Sequence, residues 1–145
     1  MLLENLLKSV SKSYRKIPVK GIAFDSRKIK KGDIFFAIKG SQTSGIKFVN
    51  DAISKGASVI VSSKKIKYKK RQIPLLLVKD VRKSLSEACS KFYRKKSPNI
   101  IAVTGTNGKS SVADFFYQIL NFNRISVASI GTLGIFSKNI VKKQI

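Results

Sequence analysis

Ile100-Ile101-Ala102-Val103-Thr104-Gly105-Thr106-Asn107-Gly108-Lys109-Ser110-Ser111 is the stretch on which the reading of this chain turns. Its four leading apolar residues predict a buried strand. Residues 104–111 predict a glycine-bearing loop, and Val112, Phe115, Phe116, Ile119 and Leu120 the apolar face of the helix that follows. Strand, Gly-x-x-Gly-Lys-Ser and helix is an arrangement suited to a nucleotide polyphosphate. Phosphate oxygens need several backbone N–H groups at once, and glycines let the chain curl close to them. The helix that follows turns its positive dipole end toward the anion. On this basis Gly105, Thr106, Asn107, Gly108, Lys109, Ser110 and Ser111 are the expected nucleotide-phosphate-binding residues. Lys109 is the expected cation on the terminal phosphates, and the Ser110 hydroxyl the expected Mg²⁺ ligand. The loop departs from the commonest pattern, because Val103 stands where the first glycine of Gly-x-x-x-x-Gly-Lys-Ser would be.

Downstream, residues 125–130 predict another strand, closed by Gly131-Thr132-Leu133-Gly134. Upstream, Leu2, Leu3, Leu6, Leu7 and Val10 have helical spacing. Gly21-Ile22-Ala23-Phe24 predicts a strand ending at Asp25-Ser26-Arg27, and Ile34-Phe35-Phe36-Ala37-Ile38 a buried one. Phe48, Val49, Ala52 and Ile53 predict a helix stopped at Gly56. Val59-Ile60-Val61 and Leu75-Leu76-Leu77-Val78 predict two more strands. Val81, Leu85, Ala88, Cys89 and Phe92 mark a helix face, with Asp80 as its N-cap. Strands alternating with helices predict an α/β fold with mostly parallel pairing.

The chain has 145 residues, 43% of them hydrophobic, a core-forming composition with no apolar run long enough to span a bilayer. The leucine-rich start carries Glu4 and no basic region, so no secretory signal is expected. One cysteine and no histidine exclude an internal disulfide and Ser-His-Asp or Cys-His catalysis within these residues. A reducing cytoplasm is the expected location, and a monomer the expected state.

Thirty basic residues against seven acidic ones give a net charge of +23. The bases are mostly scattered lysines, and the aromatic residues sit at apolar positions of the pattern, not interleaved as a stacking platform requires. No specific nucleic-acid site is therefore expected; the field attracts anionic ligands. The charge is uneven: residues 1–97 hold 25 basic and 6 acidic residues, residues 98–145 only 5 and 1. The shift coincides with Lys95-Lys96-Ser97-Pro98, where a domain boundary is expected.

Thr104-Gly105-Thr106-Asn107-Gly108-Lys109-Ser110 resembles the ATP loop of the Mur ligases, which build the peptide stem of peptidoglycan. Asp25-Ser26-Arg27, the run Lys31 to Gly40, then Phe48 and Ala52 through Gly56-Ala57 resemble the N-terminal uridine-nucleotide domain of two members of that family. Phe92-Tyr93 with Ser97-Pro98, and Ile130-Gly131-Thr132-Leu133-Gly134, favour the member that adds the third stem residue. The resemblance implies a UDP-binding α/β domain over 1–97 and the beginning of an ATP-binding central P-loop domain over 98–145. Position by position, it implies that Ser26, Arg27, Gln42 and Thr43 meet the UDP part of the substrate. Two positions depart from the family: Ser44 stands where aspartate is usual, and Ser110-Ser111 where threonines are usual.

The reaction so implied is ATP-dependent amide formation. A carboxylate of the UDP-MurNAc-dipeptide is phosphorylated, and the amine of a diamino acid such as meso-diaminopimelate attacks the acyl phosphate. Lys109 and Mg²⁺ would hold the γ-phosphate in line. After Asp114 the sequence has no further acidic residue to hold the metal, so the chain is expected to be the N-terminal piece of a longer enzyme and inactive alone. The alternatives are another amide ligase of the same family, such as the one that adds D-Ala-D-Ala, an unrelated P-loop ATPase or kinase, and a basic nucleic-acid-binding module.

Overall fold

The computed structural model describes residues 1–8, 10–40, 43–68, 73–95, 97–138 and 140–143. The chain divides into two compact units, Met1–Lys96 and Ser97–Ile145.

The first unit is built on a four-stranded parallel sheet: β1 (Gly21–Ala23), β2 (Asp33–Phe36), β3 (Val59–Ser62) and β4 (Leu75–Leu77), adjacent in that order. The register sets Ala23 opposite Phe35, Phe36 opposite Val61 and Ser62 opposite Leu77, so the strand ends lie along one edge. Both faces of the sheet are covered, which is why β2 and β3 read as unbroken apolar runs. Side chains alternate across such a strand. Ile34, Phe36, Val59 and Val61 accordingly join one core cluster with Leu3, Leu6 and Ala88. Phe35 and Ile60 join a second with Val49, Ala52 and Ile53. The first face is covered by α1 (Leu3–Leu6) and α3 (Val81–Phe92), the second by α2 (Val49–Ser54).

The helices follow their local chemistry. Asp80 caps α3, its carboxylate accepting from the Lys83 N–H at 3.0 Å. Val81 and Ala88 are buried, and Cys89 packs half-buried on that helix as a small apolar residue. A 3₁₀ turn at Gly45–Phe48 leads into α2 and leaves Phe48 exposed. The opening helix is one turn long, shorter than its leucine pattern suggests, although Leu7 and Val10 beyond it are also buried. Burial, more than helix length, is what the spacing reports here.

The second unit corrects two expectations. Residues 100–103 form no strand, and Ile100 is 85% exposed. A parallel strand needs a neighbour to take its N–H and C=O groups, and no described strand pairs with this stretch. The expected strand at 125–130 is shifted and shorter: β5 (Ala128–Gly131) pairs antiparallel with β6 (Gly134–Ser137), which pairs with β7 (Ile140–Lys143). Pairing here is therefore a meander, not the parallel arrangement of the first unit. The helix after the glycine loop, α4 (Lys109–Phe122), forms as expected, but none of its residues is buried. Val112, Phe115, Phe116 and Ile119 all lie exposed, and Phe122 is 87% exposed.

Candidate functional site

In open parallel sheets, ligands gather outside the carboxyl ends of the strands. In the first unit that edge carries the segments after β1 and β2. Asp25 caps a 3₁₀ turn at Ser26–Lys28, accepting from the Arg27 N–H at 3.0 Å. The Arg27 guanidinium closes on the same carboxylate, with Nε 3.0 Å from Oδ1 and Nη2 2.9 Å from Oδ2. These bonds hold the Asp25 carboxyl at about 2, below its ordinary range. Arg27 is itself exposed, so its charge faces solvent while its fork is fixed.

Ser26 differs from its neighbours in being only 5% exposed. Its hydroxyl bonds to the Asp51 carboxylate on α2, and this bond, with the Lys55 ammonium 3.0 Å from Asp51 Oδ2, keeps the Asp51 carboxyl below its usual value. Phe24, just before the turn, is 64% exposed.

After β2 the chain closes a small loop with backbone bonds. The Gly40 N–H donates to the Thr43 carbonyl at 2.8 Å, and the Gly45 N–H to the Ile38 carbonyl at 2.7 Å. Ser44 pairs with Lys39 through a β-bridge and makes no side-chain cap, so the loop closes without the aspartate usual in the resembling family. Thr43 is exposed, and Gln42 lies outside the described residues. Arg82 of α3 donates from Nη2 to the Lys39 carbonyl at 3.2 Å, tying this loop to the first turn of the helix. No local sequence pattern announces that bond, because the two residues lie 43 positions apart.

In the second unit, Gly108 is the N-cap of α4 with φ +75°, a left-handed conformation that disfavours side chains. Gly105 has φ +151°. A Cβ placed at Gly108 would meet nothing within 4 Å, so space is open beside the turn. Among the described residues, none of the backbone N–H groups of 104–108 donates to a protein acceptor. The Lys109 ammonium folds back over the turn and donates to the Gly105 carbonyl at 2.6 Å and the Thr106 carbonyl at 2.9 Å. Amides without partners, open space and a cation above them are features suited to a polyphosphate. Asn107, Ser110 and Ser111 are exposed around it.

Ser110 Oγ lies 3.0 Å from Thr132 Oγ1, in the turn between β5 and β6. Both line a shallow cleft with Asp114, Gly134 and Phe136. Asp114 sits one turn beyond Ser110 and accepts from Gln118 Nε2 at 2.7 Å. No group of three or more His, Cys, Asp or Glu suited to a metal occurs among the described residues. Nor is any described helix long and apolar enough to cross a membrane.

The model of the family described as "Mur ligase family, catalytic domain" matches residues 18–93, from just before β1 to the end of α3. The chain belongs to the Mur ligase family. Over 117 residues it is 45% identical to the UDP-N-acetylmuramoyl-L-alanyl-D-glutamate–2,6-diaminopimelate ligase of Rickettsia montanensis, covering 81% of this chain and 24% of that protein. A solved structure of a ligase of that name aligns with 98% of this chain and 30% of its own, with a TM-score of 0.73 at 24% identity, a likeness of fold. The MurF ligase of Thermotoga maritima, solved in complex with ADP, aligns with 76% of this chain and 25% of its own, with a TM-score of 0.59 at 25% identity. This Mur ligase chain thus spans about a quarter of the length of the curated relatives it matches.

Proposed function

We propose that this chain contributes the uridine-nucleotide-binding unit and the opening of the ATP-binding unit of a ligase that adds a diamino acid, meso-diaminopimelate, to UDP-N-acetylmuramoyl-L-alanyl-D-glutamate. The names of the curated relatives at 40–45% identity support the substrate. The single observation that carries the nucleotide half is the Lys109 ammonium held over a turn whose amides have no protein acceptor among the described residues.

In this reading residues 1–97 form the UDP-binding domain and residues 98–145 the start of the central domain. Gly105 to Gly108 present backbone N–H groups to the β- and γ-phosphates, with Ser110 and Ser111 on the first turn of the helix beyond. Lys109 neutralises charge that develops on the transferring group, which makes it the catalytic residue of this chain. Ser26, Arg27, Gln42 and Thr43 line the uridine side. Arg27 brings a fixed cation suited to a diphosphate, and the buried Ser26 shapes the turn that carries it.

Ser110 fits one arm of a Mg²⁺ site, a hard oxygen on the exposed turn beside the phosphate cradle. Among the described residues no group of three or more acidic, cysteine or histidine ligands stands with it. Bound there, Mg²⁺ would supply charge neutralisation between phosphate oxygens. The protein's own work is to orient the phosphates and hold them away from the Thr106 and Gly105 carbonyls, which Lys109 covers. The cytoplasm, where nucleotide precursors are made, is the compartment this reading requires, and a monomer suffices for it.

Calorimetric titration of the 145-residue chain with ADP and with UDP tests the proposal. Both are expected to bind weakly, UDP protecting backbone amides near Ser26 from hydrogen exchange, with no ligation of amino acid by the chain alone. Absence of ADP binding removes the phosphate-loop assignment. Ligase turnover by this chain removes the reading of it as part of a larger catalytic unit.

A further inference from the structure

We infer that Thr132 is a positioning residue for the phosphate loop: its hydroxyl oxygen accepts the Ser110 proton and so turns the Ser110 lone pairs toward a nucleotide-bound divalent cation. The inference rests on the phosphate-loop reading given above. A hydroxyl that ligates a cation offers a lone pair and must send its proton elsewhere. For Ser110 the partner in place is Thr132 Oγ1, 3.0 Å from Ser110 Oγ. The other acceptors nearby bond elsewhere, the Thr106 carbonyl to the Lys109 ammonium at 2.9 Å and the Asp114 carboxylate to Gln118 at 2.7 Å, and neither bonds to Ser110.

The β5–β6 turn brings Thr132 there, its flanks fixed by the pairing of Gly131 with Gly134. The hairpin does not depend on this hydroxyl for its place on the helix. Phe136 of β6 packs against Tyr117 of α4, ring centroids 6.0 Å apart. Removing the Thr132 hydroxyl therefore alters the orientation of Ser110 while leaving the hairpin seated.

The test is ADP affinity, measured by calorimetry on the full chain with Mg²⁺ and again with EDTA, for wild type, Thr132→Val and Thr132→Ser. Thr132→Val is expected to lose about three- to tenfold of affinity in Mg²⁺, the worth of one oriented hydrogen bond, with no loss in EDTA. Thr132→Ser, which keeps the hydroxyl, is expected to restore the wild-type value. The EDTA affinity also reports whether each variant is folded. Equal weakening of Thr132→Val in both conditions, no weakening in Mg²⁺, or a Thr132→Ser as impaired as Thr132→Val overturns the inference. A wild type that binds ADP with no gain from Mg²⁺ overturns it alone. A wild type that binds no ADP in either condition overturns it together with the phosphate-loop reading.

Discussion

The Lys109 ammonium lies 2.6 Å from the Gly105 carbonyl oxygen, so the side chain that follows the turn closes back on its beginning. A cation held in this way covers two carbonyls that would repel a phosphate and keeps its charge over the turn. Lys109→Met keeps the length of the side chain and removes both effects. Loss of a charged hydrogen-bonding group of this kind corresponds to roughly ten- to a hundredfold in ADP affinity. Helix content by circular dichroism is expected to stay at the wild-type level. Wild-type affinity in this variant would show that the lysine only braces the loop.

Gly108 and Gly131 separate backbone strain from space. A Cβ at either meets nothing within 4 Å, but only Gly108 has a left-handed φ, +75°. Gly108→Ala is expected to cost about 1–2 kcal/mol of stability in the second unit, the penalty of placing a side chain in that conformation. Gly131→Ala is expected to cost far less. Urea unfolding followed through tyrosine fluorescence measures both. Gly108→Ala is further expected to weaken ADP more than its stability loss explains, because the left-handed turn it strains carries the amides of 104–108. Equal effects at the two glycines would remove the conformational argument.

The first unit was legible because its signals are local and its core is closed. Ile34, Phe35 and Phe36 read as a buried strand, and both faces of β2 are covered. Asp80 read as a cap and caps. Ile100 to Val103 carry an equally apolar run and form no strand, since pairing is a property of neighbours and no described strand lies beside them. The glycine loop was legible from Gly105, Gly108 and Lys109 because a left-handed N-cap and a lysine one step later are local facts. The bond between Ser110 and Thr132 spans 22 positions and leaves no trace in spacing, nor does the one from Arg82 to Lys39. In the sequence the Thr132 turn reads as the end of a strand and as part of the family resemblance, not as a partner of Ser110.

Asp25 gives the chain a measurable acid response. Its carboxyl is held at about 2 by Arg27, below the ordinary value that it regains on unfolding. A carboxyl depressed in the folded state contributes stability above its unfolded value and loses it as pH falls through the folded one. The contribution of this pair is therefore expected to be intact at pH 5 and to fade from about pH 4 down to about pH 2. Asp25→Asn removes that portion of the acid response and leaves the remainder. Thermal unfolding across this window, with and without the substitution, measures the difference. Identical pH profiles would mean the pair forms equally well in the unfolded chain.

Ser26→Ala tests whether the buried hydroxyl holds the turn. Its bond to Asp51 is the larger of the causes that depress that carboxyl, with Lys55 second. Removing it is expected to raise the Asp51 carboxyl toward its ordinary range without restoring it fully, as followed by carbon-detected NMR titration. A loss of stability is expected to accompany it. An Asp51 titration unchanged by Ser26→Ala would dissolve the link between the Ser26–Lys28 turn and α2.

The net charge of +23 makes one competing function directly testable. A chain this basic binds duplex DNA through released counterions, whatever its fold, and such binding falls steeply with salt. Sequence-specific recognition needs oriented contacts to bases, and these keep discriminating as salt rises. The expected result is weak binding at low salt that is indifferent to sequence and disappears by about 0.2 M salt. ADP and UDP binding are expected to decline less over the same range, since the amides of 104–108 and the Arg27 side chain fixed by Asp25 act at short range and are screened less. Fluorescence anisotropy with two unrelated DNA duplexes, repeated with labelled ADP, makes the comparison. Binding that prefers one duplex at every salt concentration would favour the nucleic-acid module over the ligase.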